Sequence, residues 1–383
     1  MYNRLCDLMI VGHISTFLHY FRLAQNISRK LTVLIYETES MDESRANHLV
    51  QHISLLEGAE AHVFGNAQRF EGYGSKYAAV YPILKKLPAD DLVVISDGRD
   101  ILLNNPSSTD RYAKTAVLEF RKAFDALTGG GKEGAVVISA EAQCCVSALT
   151  HVIPGSYFNE DGSRNERACA SGEEDCLFKG NEFARPWETF MKSFAIEHSN
   201  KKETYDDIYL NAGLMAGTTK DLVRLIEKAQ IGKDEDDQAV LTDFMYHYPN
   251  AIVLDYGQTM FGNNRGGFIN YALSYDENKD STCMFHLPEN DALDRLHHSK
   301  TNTAPLFVHS PGGYLQCHDD LVHKLGYASI AAKTRRRLTG SIWDSDRSGC
   351  NYVRICFRHG RGFMGFGFRE EKPRFVQRLN NHD

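Results

Sequence analysis

The sequence predicts an α/β fold in which a mostly parallel central sheet is flanked by helices. Short apolar segments of strand length alternate with amphipathic segments of helix length along most of the 383 residues, which is typical of such sheets. An apolar content of 42%, with 11% aromatic residues, is enough to fill a substantial core. We therefore expect a globular protein.

The predicted elements follow one another in a regular order. The strands are short apolar runs, at 31–36, 61–64, a run that ends at Asp97, 135–141, 251–255 and a run that ends at His309. The helices lie between them, at 42–56, a helix entered at 74–77, 115–127, 220–229 and a helix that opens at 234–238 and runs through 246. Strands separated by helices in this way pair in parallel.

Composition divides the chain into a large domain and a tail. Residues 1–330 form the predicted domain, and the polar composition of about 154–200 within it predicts a long loop insertion with little regular structure. Residues 331–383 are rich in arginine. This tail is either a hairpin-like extension packed on the domain or a separate interaction surface.

The charge of the chain limits its partners. A net charge of −7 and a pI near 6.1 argue against a nucleic-acid or membrane-surface binder, because such proteins normally present a basic surface. The apolar stretch at 8–18 is too short for a membrane span and lacks a cleavage pattern. We expect a soluble protein without a signal peptide or membrane span, cytoplasmic if the chain is complete and in the secretory lumen if it is truncated. The oligomeric state stays open.

The nine cysteines are too few for a disulfide scaffold and lack the spacing of a zinc site. In an oxidising compartment, Cys169 and Cys176 are close enough in sequence for a local disulfide.

The most informative segment is the strand that ends at Asp97. Its apolar residues are followed by two carboxylates, Asp97 and Asp100, at the edge of the sheet where α/β proteins bind ligands. Carboxylate oxygens at this position suit a hard divalent cation such as Mg²⁺ or Mn²⁺. The alternative is a turn in which Asp97 caps the next segment.

The Asp97/Asp100 pair belongs to the first of six short motifs that follow one another along the chain. They are Asp97-Gly98-Arg99-Asp100, Ser139-Ala140-Glu141, Leu210-Asn211-Ala212-Gly213, Asp236-Asp237-Gln238, Leu254-Asp255 and Val308-His309. Their order and spacing, from about residue 31 to 313, resemble the glycosyltransferase domain of the lysyl hydroxylase family, the enzymes that glycosylate hydroxylysine in collagen. No hydroxylase part with an iron-type ligand set follows, so the chain looks like a stand-alone transferase module.

The resemblance implies a GT-A type fold, a UDP-sugar donor, and an acceptor hydroxyl on a protein or glycan. It also implies Mn²⁺, with Mg²⁺ as the alternative ion, held by Asp97, Asp100 and His309. A cation that bridges both phosphates would neutralise the charge that grows on UDP as the glycosidic bond breaks. A lone histidine such as His309 is more often structural, but this one ends an apolar strand before a Pro-Gly-Gly loop.

The remaining site residues are also carried over from the resemblance. Thr38, Lys76, Arg99 and Gly312 would contact the donor, and Asp236, Asp237 and Asn211 would lie at the transferred sugar. Each has a plainer alternative: a helix cap for Thr38, a solvated lysine for Lys76, a turn role for Asn211, and a solvated helix start for the two aspartates.

Two departures from the family pattern leave alternatives open. Arg99 stands where the family has an aromatic residue for stacking on uracil, and Ser310-Pro311 stands where it has Gly-Asn. A non-catalytic carbohydrate- or collagen-binding module with the same fold is therefore a second hypothesis. A nucleotidyltransferase, which also uses strand-edge carboxylates, is a third.

Overall fold

The structure of the protein is a computed structural model. It describes residues 30–38, 46–65, 68, 70–104, 110–130, 135–141, 150–152, 155, 157–165, 177–179, 191–198, 207–264, 283–291, 293, 295–311, 318, 321–322, 324–325, 342–344 and 352–355.

Strands and helices alternate in the order that the sequence predicts. The strands are β1 Leu31–Tyr36, β2 Ala59–Phe64, β3 Leu92–Asp97, β4 Ile101–Leu103, β5 Val136–Glu141, β6 Thr150–Val152, β7 Leu177–Lys179, β8 Tyr209–Thr218, β9 Ile252–Asp255, β10 Phe261–Asn263, β11 Phe285–His286, β12 His297–His298, β13 Phe307–His309, β14 Ile342–Asp344 and β15 Tyr352–Ile355. The labelled helices are α1 Ala46–Ile53, α2 Ser75–Leu84, α3 Asp110–Leu127, α4 Thr219–Ala229 and α5 Asp237–His247. Residues 191–198 are helical as well.

The main sheet has the strand order β14-β15-β2-β1-β3-β8-β5-β9. Strands β2, β1 and β3 pair in parallel, as do β5 and β9, while β8 runs antiparallel between β3 and β5. The predicted fold class, an α/β protein with a mostly parallel sheet, is confirmed. The reversed direction of β8 was not predicted, because strand periodicity carries no information about direction.

Both faces of the sheet are covered because its strands are apolar on both sides. In β1, Leu34 belongs to the core formed with α2, α4 and α5, whereas Val33 and Ile35 belong to the core formed with α1 and α3. Successive side chains of a strand point to opposite faces, so one continuous apolar run serves two cores. Helices therefore pack on both faces of the main sheet.

A second, three-stranded sheet has the order β10-β13-β4. Strand β4 follows directly on the Asp97–Asp100 segment and pairs antiparallel with β13, with Ile101 opposite His309. This pairing brings the late part of the chain back to the end of β3.

The described parts of 154–200 contain more regular structure than their polar composition predicts. Strand β7 pairs with β6, and Tyr157 and Phe158 are buried in the core. The buried carboxylate of Asp243 accepts the backbone N–H groups of Gly155, Tyr157 and Phe158 at 2.7–3.0 Å. These long-range contacts are invisible in local composition.

The described residues of the tail form a hairpin. Strands β14 and β15 pair antiparallel, and β15 adds to the edge of the main sheet beside β2. Among the described residues, no helix is both long and apolar enough to cross a bilayer.

Candidate functional site

The site lies at the edge of the main sheet where β3 and β5 end. Asp97 is the last residue of β3 and Glu141 the last residue of β5. Because β8 runs the opposite way between them, it is the beginning of β8, with Asn211 paired to Ser139, that reaches the same edge. Carboxylate and amide groups from three adjacent strands therefore meet here.

His309 lies beside the two aspartates. Its Nε2 is 3.3 Å from Asp100 Oδ2, and the backbone N–H of Ser310 donates to the Asp100 carbonyl at 2.8 Å. His309 is 2% exposed. Burial alone would lower the pKa of His309, but the neighbouring Asp100 carboxylate raises it above the usual value.

The hydrogen-bond partners of His309 fix the orientation of its ring. Asn263 donates from Nδ2 to the Ala140 carbonyl at 2.7 Å, so its Oδ1 is left to accept a bond from His309 Nδ1–H at 2.9 Å. With Nδ1–H bonded to Asn263, Nε2 faces Asp100 and carries the proton that pairs with this carboxylate when the imidazole is charged. This orientation is the one that metal-binding histidines need.

Gly213 lets β8 approach the site closely. A Cβ at this position would lie 2.6 Å from His309 Cε1, 3.0 Å from Asn211 Oδ1 and 3.1 Å from Asp97 Oδ2. These three atoms therefore surround one point that only glycine leaves free. The distances also show that the His309 ring and the Asp97 carboxylate face a common space.

Lys76 is buried among the same groups. At 4% exposure, its Nζ donates to Asp97 Oδ1 at 3.0 Å and to the Ala212 carbonyl at 2.9 Å, and it lies 3.2 Å from Asp237 Oδ2. Burial alone would lower the pKa of Lys76, but the charges of Asp97 and Asp237 raise it. Lys76 is charged in the folded protein, and it is not the solvated lysine of the alternative interpretation.

The acidic pair at the start of α5 has two different roles. Asp236 is the N-cap, and its carboxylate accepts from the backbone N–H groups of Gln238 and Ala239. Burial and the neighbouring Asp237 raise the pKa of Asp236 to about 6. Asp237 is buried against Lys76, so neither residue is merely a solvated helix start.

Glu141 belongs to a motif recognised in the sequence but was given no role there, and the structure brings it to the site edge. Gln238 joins it to β8, since its Nε2 donates to Glu141 Oε1 at 3.2 Å and its Oε1 accepts from the Ala212 N–H at 3.3 Å. Withdrawal from water raises the pKa of Glu141 to about 7. The sequence signal was present, because Glu141 ends an apolar strand as Asp97 does.

Asn211 has a local hydrogen bond of the kind that the turn interpretation expects. Its Oδ1 accepts from the backbone N–H of Gly213 at 2.9 Å. The side chain is 2% exposed and borders the space shared by Asp97 and His309.

Thr38 and Arg99 meet on the β1 side of the site. Arg99 follows β3, and its Nη2 donates to Thr38 Oγ1 at 3.0 Å and to Glu37 Oε1 at 3.0 Å. Glu37, which the sequence reasoning also missed, follows β1 directly. Gly312 lies outside the described residues, so its predicted contact with the donor stays an expectation.

The chemistry of the donor set suits a divalent cation. Asp97, Asp100, Glu141 and Asp237 share this edge with Lys76 and His309, so negative charge is in excess when the imidazole is neutral. Two carboxylates and one imidazole are ligands that Mn²⁺ accepts, and hard oxygen ligands also suit Mg²⁺. In the described part of the chain, however, no group of three or more His, Cys, Asp or Glu side chains stands in an arrangement that could hold a metal ion. Asp97 has one oxygen bonded to Lys76.

Sequence comparisons give no relatives for the chain. No protein-family model matches it, and no curated protein matches either.

Comparison with solved structures finds distant similarities, and two of these are to glycosyltransferases. The chain is similar to the apo structure of the bifunctional glycosyltransferase WbbM, with 12% identity and a TM-score of 0.37 over 80% of this chain and 52% of that one. It is also similar to apo mouse xyloside xylosyltransferase 1, with 11% identity and a TM-score of 0.31 over 72% of this chain and 98% of that one. The chain thus spans about half of WbbM.

Proposed function

We propose that the protein is a metal-dependent glycosyltransferase that moves a hexose from a UDP-sugar to a hydroxyl group of a protein or glycan. The observation that carries this proposal is the convergence of Asp100 and His309, 3.3 Å apart, with Asp97 at the sheet edge. Side chains from two distant parts of the sequence, 97–100 and 309, thus lie at the sheet edge, and this kind of edge is where α/β proteins bind nucleotides.

In this proposal Asp97, Asp100 and His309 hold Mn²⁺ or Mg²⁺. The bound ion would supply positive charge to the diphosphate of the donor as the glycosidic bond breaks. The hydrogen bond from His309 Nδ1–H to Asn263 keeps Nε2 available as a ligand atom. Asn263 therefore acts through His309, as a positioning residue.

Lys76 adds a fixed positive charge beside the same space. Its ammonium group holds the carboxylates of Asp97 and Asp237 in place and lies near the position proposed for the phosphates. A buried lysine that keeps its charge also offsets the repulsion between these carboxylates. This is a positioning and electrostatic role for a residue that the sequence analysis assigned to the donor.

The β5 and α5 side of the site suits the transferred sugar. Asp236, Asp237 and Asn211 present carboxylate and amide oxygens that can accept hydrogen bonds from sugar hydroxyls. A carboxylate near the anomeric carbon would also stabilise oxocarbenium-like charge. Thr38 and Arg99 lie on the opposite, β1 side and would contact the nucleoside, with Gly312 in the loop that follows His309.

A hydroxylysine or galactosyl-hydroxylysine acceptor in collagen-like chains is the finer form of the proposal. Cys283 is disulfide-bonded, which favours an oxidising compartment such as the secretory lumen. The cysteine pair that the sequence suggests, Cys169 and Cys176, lies outside the described residues.

One observation favours the non-catalytic alternative. Lys76 already bonds to one oxygen of Asp97, so a cation of the protein itself occupies part of the coordination that a metal would use. A module that keeps the fold but has replaced its metal by a lysine would bind carbohydrate without turning over a donor.

Donor turnover separates these functions. Purified protein is incubated with a panel of UDP-sugars, with Mn²⁺ or with a chelator, and both UDP and pyrophosphate are measured. The proposal expects UDP release that requires the metal, whereas pyrophosphate release would identify a nucleotidyltransferase. If no donor is turned over in the presence of metal, the transferase proposal fails, and the non-catalytic binding module is the remaining alternative.

The metal site is tested by Asp100→Asn, which keeps the size of the side chain but removes its charge. We expect turnover to fall at least about 100-fold, because loss of even an indirect metal contact costs 10- to 100-fold. Asp90→Asn is the matched control, since Asp90 lies on the exposed turn before β3 and contacts Lys220. Equal activity of the two variants would reject the assigned ligands.

A further inference from the structure

An ion pair on the β1 side of the site joins a buried carboxylate to a half-exposed guanidinium. Arg99 donates from both Nε and Nη2 to Glu37 Oε1, at 3.1 and 3.0 Å, and from Nη2 to Thr38 Oγ1 at 3.0 Å. The side chain of Glu37 is 0% exposed and that of Arg99 is 48% exposed. The negative charge of the buried Glu37 carboxylate is thus balanced by the Arg99 guanidinium, which lies at the surface of the site.

These hydrogen bonds fix the plane of the Arg99 guanidinium group. A guanidinium group is flat, and three bonds along its Nε–Nη2 edge hold that edge against the ends of β1 and β3. Burying a carboxylate is costly even when it is paired, and an apolar side chain at position 37 would avoid that cost. The structure thus buries a costly carboxylate, and two bonds from the Arg99 guanidinium are among its contacts.

We propose that Glu37 is a positioning residue that holds the guanidinium of Arg99 flat as the stacking surface for the nucleobase of the donor. The inference rests on the proposed function, because it assumes a nucleotide whose diphosphate lies at Asp97 and Asp100. The pair determines how tightly the nucleoside end binds, and Thr38 contributes the third bond that fixes the plane.

The two sides of the site have complementary chemistry. On the β5 side, Asn211 and Asp237 offer oxygen atoms that suit sugar hydroxyls. On the β1 side, the flat cation of Arg99 suits the π-face of a base, since guanidinium groups stack on aromatic systems. A diphosphate between these sides would direct the base towards β1 and the sugar towards β5.

Pairing of Arg99 with the phosphates is the competing use of the same side chain. Bidentate recognition of a phosphate needs one edge of the guanidinium fork. The Nε–Nη2 edge is bonded to Glu37 and Thr38, which favours the face of the group as the contact surface. The two uses predict different responses to ligands that lack a base.

The test measures equilibrium binding of UDP and of inorganic pyrophosphate to the full chain in the presence of Mn²⁺, by calorimetry. We expect Arg99→Ala to weaken UDP binding about tenfold, because one base stack is lost, and to change pyrophosphate binding less than about twofold. Arg99→Tyr supplies another flat surface and binds UDP within about threefold of wild type. Glu37→Gln weakens UDP binding about three- to tenfold and leaves pyrophosphate binding unchanged.

Two controls keep the result interpretable. Glu60→Gln alters a glutamate of β2 that pairs with Lys30 away from the site, and it binds both ligands as wild type does. Arg99→Tyr leaves the Glu37 carboxylate buried without this partner, so the double variant Glu37→Gln/Arg99→Tyr removes that strain. Because the ring introduced by Arg99→Tyr does not need Glu37 to orient it, the double variant should bind UDP as tightly as Arg99→Tyr alone.

The outcomes distinguish failure of this inference from failure of the proposed glycosyltransferase function. If Arg99→Ala weakens pyrophosphate as much as UDP, or if Arg99→Tyr binds UDP no better than Arg99→Ala, Arg99 is a phosphate ligand and the inference is wrong. Wild-type affinity for UDP in Glu37→Gln also overturns it, and in all these cases the proposed function stands. Absence of UDP binding to the wild-type protein overturns both.

Discussion

Replacement of Gly213 by alanine tests the geometry of the whole site with a single methyl group. The new Cβ would lie 2.6 Å from His309 Cε1, and ordinary contact begins at 3.4 Å, so the ring must retreat by roughly 0.8 Å. The ring cannot do so freely, because it is buried and its Nδ1 is bonded to Asn263. Misplacement of a catalytic group by about 1 Å can cost about 100-fold in rate. We expect metal-dependent turnover to fall about 10- to 100-fold.

Gly217→Ala is the matched control, on the same strand and with the same added methyl group. Its Cβ would meet Leu222 and Val136 side-chain atoms at 3.2 Å, which requires a shift of only a few tenths of an ångström. Overpacking at Gly213 is expected to cost about 1–3 kcal/mol of unfolding free energy. At Gly217 the smaller clash is largely offset by about 0.4–1 kcal/mol from the stiffer unfolded chain.

The assays are urea unfolding, Mn²⁺-dependent UDP release and calorimetric UDP binding for both variants. Reduced activity in Gly213→Ala with a folded protein, together with normal activity in Gly217→Ala, supports the site as described. Wild-type turnover and affinity in Gly213→Ala would refute the reasoning, since His309 and Asp97 could then not depend on the space at Gly213.

Two further predictions concern stability. Lys76→Met leaves the carboxylates of Asp97 and Asp237 without their buried cation, and we expect urea unfolding to show a loss of about 3–5 kcal/mol; a loss below about 1 kcal/mol would contradict the buried ion pairs. Burial, helped by the nearby His48, lowers the pKa of His52 from 6.5 to about 3, so below pH 6.5 the unfolded chain binds a proton that the folded protein does not. As the pH is lowered from 6.5 to 5, the free energy of unfolding should therefore decrease by up to about 1.4 kcal/mol per pH unit. In His52→Leu that slope should shrink, and equal slopes in urea titrations of both proteins would show that His52 is not the cause.

The positions of Asp97 and His309 could be predicted because both end buried apolar strands. An apolar run followed by a polar residue marks a strand end locally, and the ends of parallel strands share an edge. The pairing of β13 with β4, which brings His309 next to Asp100, is a long-range event. Only the resemblance to a known family connected these residues before the structure did.

Other features depend on contacts that no local pattern reveals. Lys76 looks like a first-turn lysine, yet its ammonium group is buried by Asp97 and Asp237. Glu37 looks like a polar residue after a strand, and its burial against Arg99 appears only in the folded structure. Polar composition around 154–200 predicted a loop, whereas Asp243 ties the backbone of Gly155, Tyr157 and Phe158 to the core.

The pairing of β4 with β13 also bears on how the protein matures. The two halves of the proposed cation site, the Asp97/Asp100 pair and His309, are separated by about half of the chain, and contacts of such high sequence separation are entropically costly to form. A partly folded or truncated chain would lack His309 opposite Asp100 and would hold the proposed ion poorly. Tight metal uptake would then report complete folding, so the metal-loaded fraction would measure how much of a preparation has reached its native state.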